Sequence, residues 1–285
     1  LRLARWRWRR GHALHGSPPR SHRPLAARRD RHGHGGLRAQ LRRQRRGAGA
    51  AAGALAGAAA RSVETEFGAA KLTSGSWRGV PIEFVTRHGH DHSVPPSRVN
   101  YRANISALKK LGITRVIAVN VVGGIDPTLK AGDLSLIDDF VDFTSGREST
   151  FFDGVQPGGV SHVDMTDVYD PQLRAELLKS ARVAGIGLRE RGVYAGFNGP
   201  RFETPAEIRL AALAGATVVG MTGCPEVSLA KEAGLRYASI ALVVNPAAGV
   251  SDQPITMEEI TEALNKSVDK VLTIIDGAIE AIAHV

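Results

Sequence analysis

The chain of 285 residues contains a single cysteine, Cys224, which excludes an internal disulfide and fits a reducing compartment. Nowhere does it approach the run of about 18 strongly apolar residues that a membrane-spanning helix needs. No membrane partner is expected, and a cytoplasmic location is. There is no internal repeat. Residues 1–61 lack lysine altogether and hold one acid, Asp30, against 16 arginines. They are also poor in large apolar side chains, and such a segment cannot offset the entropy of ordering itself.

That imbalance changes the meaning of the overall charge. The whole chain carries +9, from 37 basic and 28 acidic residues. Residues 62–285 hold 21 of the bases and 27 of the acids, so this part is mildly acidic. Nucleic acid is therefore not an expected partner, apart from nonspecific binding by the arginine-rich segment. Three readings fit residues 1–61: a disordered basic tail, a transit peptide, or a coding region translated out of frame. Many arginines beside no lysine favour the last. The expected boundary places 1–61 outside the fold and one domain over 62–285.

From Ser62 onward, strand and helix patterns alternate. Short apolar, β-branched runs are expected as strands at 82–86, 115–122, 133–140, 192–197, 217–220 and 237–244. Helical spacing is expected over 100–111, 171–184, 205–215, 226–233 and 255–282. Thr256, followed three residues later by Glu259, reads as the cap of the last helix. The alternation predicts an α/β fold, a central β-sheet flanked by helices. The stretch 216–249 reads as a strand–helix–strand unit with parallel strands, and a pocket is expected beyond its two strand ends, Met221-Thr222 and Asn245-Pro246-Ala247.

Polar groups gather after several of these strands. Arg87 and His88 follow one, Asn120 to Gly124 end another, and Phe202-Glu203 follow a third. An arginine, a histidine, a hydroxyl and a glycine-rich strand end make a reasonable set for an oxyanion such as phosphate. Glu203 and Asn245 differ in kind. A carboxylate that only accepts, paired with an amide that donates and accepts, suits the edge of a heterocycle. His88, His90 and His92 would share one face of an extended segment, yet nothing supplies a fourth ligand. No metal site is expected.

The segments TRHGH, PSRVNYRANI, GPRFET and VVGMTGCPEVSLAKEAGLRYASIALVVN resemble the trimeric purine nucleoside phosphorylase and methylthioadenosine phosphorylase family, over roughly residues 62–283. The resemblance implies a mixed central sheet, a homotrimer, and phosphorolysis of a purine nucleoside to free base and pentose 1-phosphate. Inorganic phosphate is then the co-substrate, and no cofactor is needed. It implies phosphate contacts from Arg87, His88, Asn120, Val121 and Thr222. Met221 would pack on the ribose, Phe202 would line the base site, and His162 would be lent to the 5′ side by a neighbouring subunit. Asn245 would stabilise the leaving purine, with His88 beside it in the catalytic set.

Base choice follows from Glu203, Asn245, Pro246 and Ala247. The adenine-selective members carry Asp-x-Asp where this chain has Asn245-Pro246-Ala247. A 6-oxopurine offers an N1–H to Glu203, and O6 and N7 to the Asn245 amide, so inosine and guanosine are the expected substrates. S-methyl-5′-thioinosine or methylthioadenosine is the alternative. The family's first strand and glycine-rich phosphate loop have no counterpart here: the corresponding region reads Arg46-Gly47-Ala48-Gly49-Ala50, without a hydroxyl. A remnant or basic-tailed binding protein without turnover is thus a further alternative.

Overall fold

The structure, a computed structural model, describes residues 55–89, 93–155, 159–252 and 256–285. The expectations for residues 1–54, which include Arg46 to Ala50, and for His90 and His92, lie outside the described residues.

Strand β9 (Arg236–Pro246) explains the architecture. Its side chains alternate between two apolar faces. Ala238, Ile240, Leu242 and Val244 pack with Leu173, Leu177, Val271 and Ile274, whereas Tyr237, Ala241 and Val243 pack with Ala103, Ile105, Val227 and Leu229. A strand covered on both sides has no polar face, which is why the sequence there is a continuous apolar run. The first face is covered by α2 (Pro171–Val183) and α5 (Met257–His284), and the second by α1 (Tyr101–Lys110) and α4 (Glu226–Glu232). Helix α5 begins as its sequence predicts: the Thr256 hydroxyl accepts the Glu259 N–H. Gly277 is where α5 touches α2. A Cβ there would collide with the Ser180 hydroxyl, which donates to the Ile274 carbonyl at 2.7 Å.

Around β9 lie β4 (Arg115–Gly124), β5 (Leu134–Leu136), β6 (Asp139–Asp142), β7 (Val193–Gly196) and β8 (Val218–Gly220), in the order β5-β9-β4-β8-β7-β6. The single strand expected over 133–140 is two short strands, because Ile137 and Asp138 carry the chain from one edge of the sheet to the other. The sheet is mixed, as expected. The strand–helix–strand unit is not parallel, however. β4 lies between β8 and β9, parallel to β9 and antiparallel to β8. β8 therefore runs back along the last residues of β4, with Val219 beside Gly123 and Val218 beside Gly124, and its end points away from the end of β9.

A separate three-stranded antiparallel sheet holds β1 (Ala56–Thr65), β2 (Gly68–Trp77) and β3 (Val80–Val85). The boundary expected between residues 61 and 62 falls inside β1. Arg61 pairs with Leu72 in the strand register, and its guanidinium meets Glu83 at 3.0 Å. Alanine and glycine offer little strand propensity. What holds β1 is the hydrogen-bonded ladder to β2, which needs backbone rather than apolar side chains. Among the described residues, no helix is long and apolar enough to cross a membrane.

Candidate active site

The reversed β8 brings three predicted residues together. Thr222 follows β8, and its hydroxyl donates to the Asn120 Oδ1 on β4 at 3.3 Å. Asn120 is buried, and its amide nitrogen donates to Ser239 Oγ at 2.8 Å. The carboxamide expected to face phosphate is thus committed to Thr222 and Ser239. Val121, the next residue, is 45% exposed although it lies within a central strand. Two residues further along β4, Gly123 stands beside Val219 on one side and Asn245 on the other. The fit there is tight: a Cβ would lie 3.2 Å from the Val219 side chain and 3.5 Å from the Asn245 amide nitrogen, so Val219 would have to give way by a few tenths of an ångström.

Arg87 reaches the same strand from the end of β3. Its Nη1 donates to the Val119 carbonyl at 3.1 Å. Its Nε and Nη2 grip the two oxygens of Glu226, each at 2.6 Å. Tyr237 completes the pair by donating to Glu226 Oε1 at 2.7 Å. Burial alone would lower the Arg87 pKa, but the Glu226 carboxylate outweighs it and the guanidinium titrates above its usual value. The expected phosphate arginine is thus already neutralised by an internal partner. Three of its five N–H donors are used, and two remain. His88 follows, with Nδ1 2.8 Å from the Val94 carbonyl, so Nδ1 carries the proton and donates.

Glu203 is 8% exposed, and its Oε1 has no hydrogen-bond partner. Burial pushes its carboxyl above the ordinary range. A carboxylate at this place could simply favour the start of helix α3 (Pro205–Leu213), but that task is taken. Thr204 accepts the Glu207 N–H at 3.2 Å, and Glu207 accepts the Thr204 N–H at 2.7 Å. Asn245 is 6% exposed and donates to the Pro246 carbonyl at 2.6 Å. The turn after it leans on α3: Ala247 packs in one cluster with Ile208 and Val219, and a Cβ at Gly249 would stand 2.8 Å from Pro205. That contact sets the start of α3 against the turn that follows β9. Pro246 and Phe202 are exposed, and Ala247 is buried. Met221 is half-buried, with its sulfur packed on Gly199.

His162 is exposed on the long loop before α2 and joins none of these groups. Among the described residues, no cluster of three or more His, Cys, Asp or Glu could hold a metal. Sequence reasoning missed Glu226, Tyr194, Ser239 and Arg147. Tyr194 accepts the N–H groups of Thr222 and Gly223 at 3.1 and 3.0 Å. Arg147 donates to the Met221 and Cys224 carbonyls at 2.8 and 2.6 Å. Only Glu226 left a signal, as an acid inside an otherwise apolar helix face.

A family described as the phosphorylase superfamily matches residues 47–280. The chain is 44% identical over 225 residues to a probable 6-oxopurine nucleoside phosphorylase of Thermococcus kodakarensis, covering 78% of this chain and 84% of the relative. It is 46% identical over 212 residues to a probable S-methyl-5′-thioinosine phosphorylase of Pseudomonas syringae pv. tomato, covering 73% and 85%. Its fold superposes on the methylthioadenosine phosphorylase of Schistosoma mansoni in complex with adenine with a TM-score of 0.76 at 35% identity, covering 81% of this chain and 88% of that one. A match over most of the chain in family, sequence and fold places this protein in the phosphorylase superfamily.

Proposed function

We propose that the chain catalyses phosphorolysis of purine nucleosides with a 6-oxopurine base, taking inosine or guanosine and inorganic phosphate to free base and pentose 1-phosphate. The observation that carries the base preference is the buried Glu203 with an unpartnered oxygen, just ahead of helix α3, whose start packs on the turn that follows Asn245. A 6-oxopurine N1–H supplies the donor that Glu203 lacks, and the Asn245 amide donates to N7 or O6. Adenine offers an acceptor at N1 instead and leaves the carboxylate facing it, at a cost of about 1–3 kcal/mol.

Phosphate is assigned to the ground between β4 and the end of β8. Thr222, the Val121 backbone and His88 surround it, and Arg87 contributes its two remaining N–H groups. The long bond from Thr222 to Asn120 is the one that phosphate replaces. Met221, Phe202 and the exposed Val121 offer apolar surface to the sugar and the base. The C1′–N9 bond lengthens first, leaving positive charge on the sugar. The phosphate oxyanion stabilises that charge and then attacks C1′, while Asn245 hydrogen-bonds the purine as negative charge builds on it. Positioning and fixed charges supply the rate, with no covalent enzyme intermediate and no cofactor.

The same reading includes a homotrimer, in which His162 serves the 5′ side of a neighbour's sugar, and a cytoplasmic location. S-methyl-5′-thioinosine is the second substrate reading, favoured by the 46% identity to a relative of that name. The test is phosphate-dependent release of base from inosine, guanosine, methylthioinosine and adenosine by the purified chain. Hypoxanthine and guanine release should lead. Faster adenine release, or release independent of phosphate, would overturn the proposal.

A further inference from the structure

The loop Met221–Cys224 carries the hydroxyl assigned to phosphate, yet its own backbone makes few bonds within the loop. Two distant side chains hold it. Tyr194, 1% exposed on β7, accepts from the N–H groups of Thr222 and Gly223. It lies this close only because its neighbours lack side chains: a Cβ at Gly220 would stand 2.5 Å from the phenol oxygen, and one at Gly223 2.7 Å from the ring. Arg147, from the loop after β6, takes the carbonyls. Nη1 donates to Met221 and Cys224, and Nη2 donates to Phe197 and Asn198 at 3.2 and 2.9 Å. The guanidinium also lies 5.5 Å from the Tyr101 ring centroid. One planar cation therefore bridges two loops, and a phenol locks one of them from the opposite polarity.

We propose that Arg147 and Tyr194 are positioning residues for phosphate: together they fix the Thr222 hydroxyl against β4 and hold the 197–198 loop beside it. The inference rests on the assignment of Thr222 to phosphate. Neither residue touches phosphate itself. A guanidinium suits the task because its fork reaches several carbonyls in one plane, which a lysine ammonium cannot reproduce. The phenol suits it because its oxygen accepts two N–H groups while keeping its proton.

The experiment compares Tyr194→Phe, Arg147→Lys and Thr222→Val with the parent chain, using inosine and phosphate, and reads each KM separately. Tyr194→Phe and Arg147→Lys should each raise the phosphate KM about tenfold and leave the nucleoside KM within about twofold. If Tyr194 acts through Thr222, then Tyr194→Phe should add little in the Thr222→Val background. Both KM values moving together, a full additive effect in the double variant, or a fall in thermal stability with no change in phosphate KM would overturn the inference. Should Arg147→Lys fail to fold, Tyr194→Phe decides the matter alone. A Thr222→Val variant with unchanged phosphate KM would remove the assignment of Thr222 itself. If Thr222→Val raises that KM and the other two do not, only the positioning roles fall. A parent chain without turnover overturns both readings.

Discussion

One guanidinium engages both oxygens of one buried carboxylate: Arg87 Nε meets Glu226 Oε2 and Nη2 meets Oε1, each at 2.6 Å. The two side chains are 16% and 7% exposed, so both charges have left water and depend on each other. Glu226→Ala leaves the cation buried without its partner. Such a loss typically costs about 3–5 kcal/mol, and denaturant unfolding should show it. Replacing both members, Arg87→Met with Glu226→Leu, should recover most of that stability while abolishing turnover. Equal stability of the parent and Glu226→Ala would show that the pair contributes nothing to the fold.

Glu203 links function to pH. Burial raises its folded pKa above the unfolded one. Its contribution to stability is therefore full below the unfolded carboxylate value and is lost as pH rises through the folded value. Glu203→Gln removes the charge that has to be buried. The variant should be more stable than the parent at neutral pH, with the difference disappearing near about pH 4. Its turnover of inosine should fall at the same time. Unfolding curves across this pH range check the sign, and a gain that grows on acidification would contradict it.

Base selectivity should move with Asn245. Asn245→Asp exchanges an amide that donates for a carboxylate that accepts, which suits a 6-amino group rather than O6. The ratio of inosine to adenosine kcat/KM should fall by about tenfold or more. An unchanged ratio would place base recognition elsewhere.

Cys224 should be inert in the folded protein. It is fully buried, and burial pushes its thiol well above the usual range. A thiol reagent should label no site under native conditions and one per chain after unfolding, which a mass measurement reads directly. Rapid native labelling would show that the loop Met221–Cys224 opens readily.

The sequence alone determined the helices, the strands of the central sheet, the sheet flanked by helices and the Thr256 cap. Those features depend on local spacing: a period of two or of 3.6, a capping hydroxyl, or a polar residue at a strand end. It did not reveal β1 or β2, because strands rich in alanine, glycine and serine and held by backbone bonds carry little apolar signal. Nor did it reveal the direction of β8, since an apolar run of three residues reads alike in either direction.

Only the tertiary structure decided which groups meet. Glu226 lies 139 positions from Arg87, and Thr222 lies 102 positions from Asn120. No local pattern encodes a partner at that distance. The antiparallel run of β8 along β4 sets both Thr222 against Asn120 and the loop within reach of Tyr194 and Arg147. The chemistry of each side chain was legible residue by residue, whereas its charge balance and its neighbours came from the packing of the sheet.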